Sequence, residues 1–189
     1  MIPEVLVNVM RGGIVESRHR GHLVAVDSKG RVIYSLGDPR AVTFWRSAAK
    51  PLQALPLVEE GGIEYFGLTA QELAVICSSH GGEEEHVQAV TSILRKTGLT
   101  EDALKCGPAA PMNGSVARSL LRNNMPFLPV HNPCSGKHAG MLAVCKNNNW
   151  DIETYLDYNH PLQLEILDLT KVEYVEAKVR DRNLPVKHR

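Results

Sequence analysis

Three short stretches of this chain hold residue types capable of covalent or acid–base chemistry. In RSAAK, residues 46–50, Ser47 and Lys50 stand three positions apart, so on a helix they share a face. A serine hydroxyl becomes a useful nucleophile when a neighbour takes its proton. A lysine does so only when neutral, which needs its pKa brought from about 10.4 towards roughly 7–8 by burial or nearby cations. Arg46 is one such cation beside the pair. Pro51 has no N–H to return to the Ser47 carbonyl, so the regular helix is expected to start near Ala48. Ser47 would then stand at the positive end of the helix dipole, where an oxyanion can develop. Ten serines and nine lysines make an isolated Ser-x-x-Lys a frequent accident. The plain alternative is an amphipathic helix with two solvated polar residues.

The second stretch, CSSHGG at 77–82, offers Ser78, Ser79 and His80 just before a flexible turn. It suits a second polar site feeding a shared pocket. It equally suits a helix end with Cys77 in the core and the polar residues satisfying free carbonyls. A metal site from Cys77, His80 and His86 lacks the usual zinc spacing. The third stretch, HNPCSGKHAG at 131–140, lacks the first glycine of a phosphate loop and has His138 where serine or threonine is needed. Cys134 lies near an expected helix start, with Lys137 one turn on and His138 next to it. That setting favours a thiolate and suits a metal ligand, a nucleophile or a simple helix cap.

Several elements must position these residues. Leu23–Val26 and Val32–Leu36 flank Asp27-Ser28-Lys29-Gly30 and read as a β-hairpin. Trp45, Ala48, Ala49, Leu52, Leu55 and Val58 recur at helical spacing, ended by Gly61-Gly62. Thr69 with Glu72 forms a capping box for the next helix. Gly81-Gly82 separates it from another, whose start at Glu83–Glu85 is taken as solvated and whose end is marked by Arg95, Lys96 and Gly98. A loop-rich stretch carries one short helix near Ser115–Asn123. A mostly apolar helix follows Pro133, and a final helix begins at about Pro161. His19, His22, His160 and His188 show no evident partners. The segment from Thr170 alternates valine with charge and is compatible with strand, helix or frayed end.

The chain has 189 residues, 43% hydrophobic and 22% charged, with Lys+Arg and Asp+Glu both 21. A chain so balanced has no overall field for nucleic acid or an anionic membrane, and a small molecule or another protein is the expected partner. Cys77, Cys106, Cys134 and Cys145 form no CxxC pair, and no secretory leader or membrane span is evident. Reduced thiols and a cytoplasmic location are therefore expected.

Taken in order, RSAAKPLQALPLVEEGG, ELAVICSSHGGEEEHV, CGPAAPMN and HNPCSGKHAGMLAVCK resemble the Rhizobium-type L-asparaginase II family. SRHRGHLVAVDSKGRVIYSLGDP and YLDYNHPLQLEIL extend the resemblance over about 5–167. It implies an α/β (α+β) architecture with a serine β-lactamase-like fold, and hydrolysis of L-asparagine to L-aspartate and ammonia. By this resemblance Ser47 is the nucleophile, Lys50 its base and Ser79 a second catalytic serine, while Arg46 and His138 line the substrate pocket. Cys134 and Lys137 match two ligands of a zinc ion that supports the substrate site. Coordination by a lysine requires the neutral amine, so metal affinity should depend on pH. A homodimer is the possible assembly.

Residues 1–167 thus read as the N-terminal part of such a domain, and 168–189 as a divergent tail. Family members continue further, with a third zinc ligand, a second active-site lysine and more sheet strands, so this chain reads as truncated. Its hairpin would need other strands, because a lone two-stranded sheet is marginal. Three other readings stand beside the amidohydrolase. They are a non-catalytic, partner-binding remnant, a penicillin-recognising serine hydrolase, and a thiol hydrolase using Cys134 and His138.

Overall fold

The computed structural model describes residues 3–179. The architecture is mixed α/β, and the chain divides into two compact units, one built on Met1–Phe44 and the other formed by Trp45–Thr170.

The first unit holds two separate two-stranded antiparallel sheets. Strands β1 (Glu4–Arg11) and β2 (Ile14–Gly21) pair from Glu4↔Gly21 to Arg11↔Ile14. Gly12 and Gly13 close this hairpin at φ 53° and 81°, the left-handed pair that matches strand twist in a tight turn. This hairpin was not anticipated from the sequence, although the Gly-Gly pair between apolar runs is its signal. Strands β3 (Leu23–Val26) and β4 (Val32–Leu36) form the expected hairpin, pairing Leu23↔Leu36. Asp27 organises its turn, taking N–H bonds from Lys29 and Arg31 at 2.9 Å. Ile14, Ile33, Val7 and Tyr34 are among the apolar side chains left exposed on these strands.

The second unit is helical. Where one helix was expected from Trp45 to Val58, there are three short pieces. A 3₁₀ turn covers Arg46–Ala49, α1 covers Lys50–Gln53 and α2 covers Leu55–Glu59. Pro51 and Pro56 are the reason, since each removes a donor that a continuous helix needs. The Ser47 carbonyl is satisfied by the Lys50 N–H instead. The regular helix thus begins at Lys50, and Ser47 lies inside the preceding 3₁₀ turn. Then come α3 (Gly62–Phe66), α4 (Ala70–Ile76) and α5 (Glu84–Lys96). The Thr69/Glu72 capping box is present on α4. Burial alone would raise the Glu72 pKa, but the Lys96 ammonium at 2.7 Å and the Thr69 N–H hold it low.

Helix α6 (Gly114–Arg122) precedes a 3₁₀ turn at Pro129–His131 that leads into α7 (Ser135–Asn147), and α8 spans Pro161–Val179. The segment beyond Thr170 therefore continues as helix to Val179, and its remainder, with His188, lies outside the described residues. Helix α7 is the core of the unit. Everything from His138 to Cys145 is buried, and α2, α3, α4 and α5 all pack on it. Leu57, Ile76, Val90, Ile93 and Leu162 belong with Leu142 and Val144 to one buried apolar cluster. His22 and His160 do have partners. His22 Nδ1 accepts the Asp38 N–H at 2.8 Å, and buried His160 pairs with the Asp151 carbonyl at 2.9 Å. No helix among the described residues is long and apolar enough to cross a membrane.

Two glycines explain the packing of α7 on α4. A Cβ on Gly136 would sit 2.3 Å from the Val75 carbonyl oxygen, and one on Gly140 would sit 2.5 Å from an Ile76 methyl. Helix propensity alone says that Gly136→Ala should stabilise α7 by up to about 1 kcal/mol. The backbone contact says the opposite, a loss of about 1–3 kcal/mol as the helices are forced apart. Urea denaturation of Gly136→Ala separates the two, and a raised midpoint would refute the close approach.

Candidate active site

The contact of α7 with α4 brings CSSHGG against HNPCSGKHAG. The His80 N–H donates to the Pro133 carbonyl at 3.2 Å, joining the segment after α4 to the one before α7. His80 Nε2 lies 2.8 Å from Ser135 Oγ, which itself donates to the Val130 carbonyl at 3.0 Å. Ser135 therefore accepts from His80, and the ring proton sits on Nε2. His80 Nδ1 is then a buried acceptor with no partner.

Lys50 enters this junction from the start of α1. It is only 3% exposed, and its amine donates to the Ser78 carbonyl and to Ser79 Oγ, both at 2.7 Å, and to the Pro133 carbonyl at 3.4 Å. Ser79 Oγ in turn donates to Ser47 Oγ at 3.1 Å. The structure thus gathers Ser47, Lys50 and Ser79 but corrects their order. Lys50 does not bond Ser47 directly as three-residue spacing suggested, because Ser79 stands between them. Ser47 and Ser79 are exposed while Lys50 is buried, so two hydroxyls face solvent over a shielded amine.

Arg46 is exposed and adopts φ 52°, a left-handed backbone unusual for a non-glycine residue and often retained where geometry is functional. His138 is buried in α7, with Nδ1 2.7 Å from the Tyr155 hydroxyl. The Tyr155 oxygen also accepts the Lys105 N–H at 3.0 Å. Sequence reasoning missed Tyr155 and Ser135, whose partners come from segments distant in the chain.

Cys134 caps α7, and Lys137 follows in its first turn. Burial lowers the Lys137 pKa, with Lys50 acting in the same sense and Cys134 opposing. A depressed amine is a better neutral donor, so this pair suits a zinc ion chemically. The Cys77, His80 and His86 grouping does not. His80 and His86 stack with ring centres 5.3 Å apart, and His86 Nδ1 pairs with Glu83 at 2.8 Å. Glu83 also takes the Asn113 amide at 2.7 Å, so this helix start is a bonded corner and not merely a solvated one. Among the described residues, no group of three or more His, Cys, Asp and Glu could hold a metal. All four cysteines are free.

Burial lowers the pKa of His80 and of His138 to about 4. For His80 the His86 and Lys50 charges add to burial, and for His138 the Lys137 and Lys50 charges do. Both rings are therefore neutral from about pH 5 upward. Unfolded rings bind a proton near 6.5, so these two disfavour folding increasingly as pH falls from about 6.5 to 4. Glu165 acts oppositely, since burial, then Glu60 and Glu59, raise it to about 7. Site-specific readout avoids the overlap. The ring resonances of His80 and His138 should stay in their neutral positions from pH 8 to 5, and a midpoint near 6.5 for either would contradict the buried arrangement.

A search among curated proteins finds no match. The family model of L-asparaginase II matches residues 7–182, which bears out the resemblance read from the motifs. The hydroxyls and buried amine described above fall inside that span, and the chain belongs to the L-asparaginase II family.

Proposed function

We propose that the chain is an amidohydrolase acting on L-asparagine, which it converts to L-aspartate and ammonia, with Ser47 as nucleophile. The observation that carries this reading is the hydrogen-bonded series Lys50–Ser79–Ser47. In a neutral Lys50 amine, the two remaining N–H groups can stay on the Ser78 and Pro133 carbonyls. The lone pair is then directed at Ser79. The Ser79 hydroxyl proton can pass to Lys50 while the Ser47 proton passes to Ser79, leaving Ser47 Oγ free to attack the side-chain amide carbon.

Collapse of the tetrahedral intermediate breaks the C–N bond, and the leaving nitrogen takes the proton back through Ser79 as ammonia. A water molecule, deprotonated through the same series, then hydrolyses the resulting ester and releases aspartate. Exposed Arg46 has the planar donor fork that matches the substrate carboxylate. His138, held neutral, lines the pocket as an uncharged polar wall. A zinc ion bound through Cys134 and Lys137 would supply fixed positive charge beside the pocket. The Ser-x-x-Lys at the start of a helical unit also supports a serine β-lactamase-like fold.

A second reading, a non-catalytic and partner-binding chain, is favoured by the exposure of Ser47 and Ser79 and by the uncovered apolar strands. Ammonia release from L-asparagine, followed with an enzyme-coupled assay, separates the two. The expected result is turnover that falls at least about 10³-fold in Ser47→Ala and by about 10²-fold or more in Ser79→Ala and Lys50→Met. Equal rates in wild type and Ser47→Ala would sink the hydrolase. Turnover that survives Ser47→Ala and vanishes in Cys134→Ser would transfer the nucleophile to the thiol.

A further inference from the structure

We propose that Tyr155 is a positioning residue that sets His138 in its Nε2–H tautomer, so that the pocket offers one fixed, neutral donor to an oxygen of the substrate. The inference rests on the reading of His138 as a pocket residue. It brings to the site a residue from outside the three motif-bearing stretches.

The tautomer follows from counting donors and acceptors on one hydroxyl. Tyr155 is fully buried, and its oxygen accepts the Lys105 N–H at 3.0 Å. Its other hydrogen-bond partner among the described residues is His138 Nδ1, at 2.7 Å. Were Nδ1 protonated, the tyrosine oxygen would accept twice and its own hydrogen would be buried without an acceptor, which folded proteins avoid. The hydroxyl therefore donates to Nδ1, and the single proton of the neutral ring sits on Nε2. Tyr155 is itself anchored, since the Gln163 amide on α8 donates to its carbonyl at 2.7 Å. The two rings meet edge to face, with centres 5.7 Å apart.

The Nε2–H is left available. It has no hydrogen bond among the described residues, where the one fully buried side-chain nitrogen or oxygen without a partner is His80 Nδ1. His138 Nε2 therefore reaches accessible surface, although its residue is only 6% exposed. His138 also stands one turn after Ser135 on the same side of α7, and Ser135 bonds the His80 ring next to Ser79. This flank of α7 meets the serine-bearing segment. A donor fixed there fits a carboxylate or carbonyl oxygen and turns away an N–H, whereas the opposite tautomer would do the reverse.

Nitrogen-15 NMR of the full chain labelled at histidine reads the tautomer directly. In the wild type His138 should be protonated on Nε2 and bare on Nδ1, and excess L-aspartate, the product, should shift the Nε2 resonance. Tyr155→Phe removes only the hydroxyl. It should give a mixture of tautomers and weaken L-aspartate binding about three- to tenfold, with KM raised by a similar factor and kcat changed by less than about threefold. A purely structural tyrosine would lower stability and leave tautomer, affinity and KM alone. His138→Gln, whose amide nitrogen can take the Nε2 position, should keep L-aspartate binding better than His138→Asn, whose amide reaches only as far as Nδ1.

A wild-type His138 protonated on Nδ1 overturns the proposal, as does an Nε2 resonance untouched by L-aspartate. Wild-type tautomer and affinity in Tyr155→Phe overturn it too. If Tyr155→Phe fails to fold, the wild-type spectrum and the two His138 variants decide, and equal binding by those variants counts against the donor. Ammonia release from the wild type reports on hydrolysis separately. No turnover, with an Nε2–H that still responds to L-aspartate, would remove the asparaginase reading and leave the donor standing.

Discussion

The absence of a side chain at Gly136 is the constraint on which the catalytic region depends. It lets the first turn of α7 lie against the Val75 carbonyl at the end of α4, closer than any other residue would allow. Everything at the junction follows from that distance. The His80 N–H reaches the Pro133 carbonyl, the His80 ring reaches Ser135, and the Lys50 amine spans the Ser78 and Pro133 carbonyls. Without the approach, the three chemically loaded stretches would remain separate polar ends of separate elements. The glycines of HNPCSGKHAG thus serve helix packing and not phosphate binding.

Lys50 is the second organising element, and its burial has a structural meaning beside the chemical one. An amine taken out of water must be compensated by polar partners. Here the partners are two carbonyls and one hydroxyl drawn from two other segments. The same bonds tie α1 to the end of α4 and the start of α7. A group placed to receive a proton is thereby also a strut, so its loss would be felt in stability as well as in turnover. Neighbouring His80 and His138 are kept uncharged by burial, which spares this region additional positive charge.

Much of the local structure was legible from residue order. The Thr69/Glu72 capping box, the β3–β4 hairpin, the break at Gly81-Gly82 and the start of α7 after Pro133 all occur as read. Each depends on interactions spanning a few residues, which a short pattern encodes. The failures arose where a local rule was applied without its competitor. Apolar spacing over Trp45–Val58 suggested one helix, but Pro51 and Pro56 divide it. Nearly every residue of β1 and β2 is exposed, so burial imposes no clean apolar–polar alternation on them, and the first hairpin was missed.

By itself the sequence determined which groups are available and the family to which they belong. Ser47, Lys50, Ser79, Arg46, His138, Cys134 and Lys137 were all singled out from residue type, spacing and motif resemblance. Tertiary structure decided how they are connected. Ser79 enters between Ser47 and Lys50 although it lies 32 and 29 residues away from them. The Asn132 amide reaches the Cys106 carbonyl across 26 residues. Such contacts carry no local spacing signal, because they join segments distant in the chain. The meeting of Lys50, Ser79 and Pro133 depends on the missing Cβ of Gly136 and on polar bonds that only the folded junction can form.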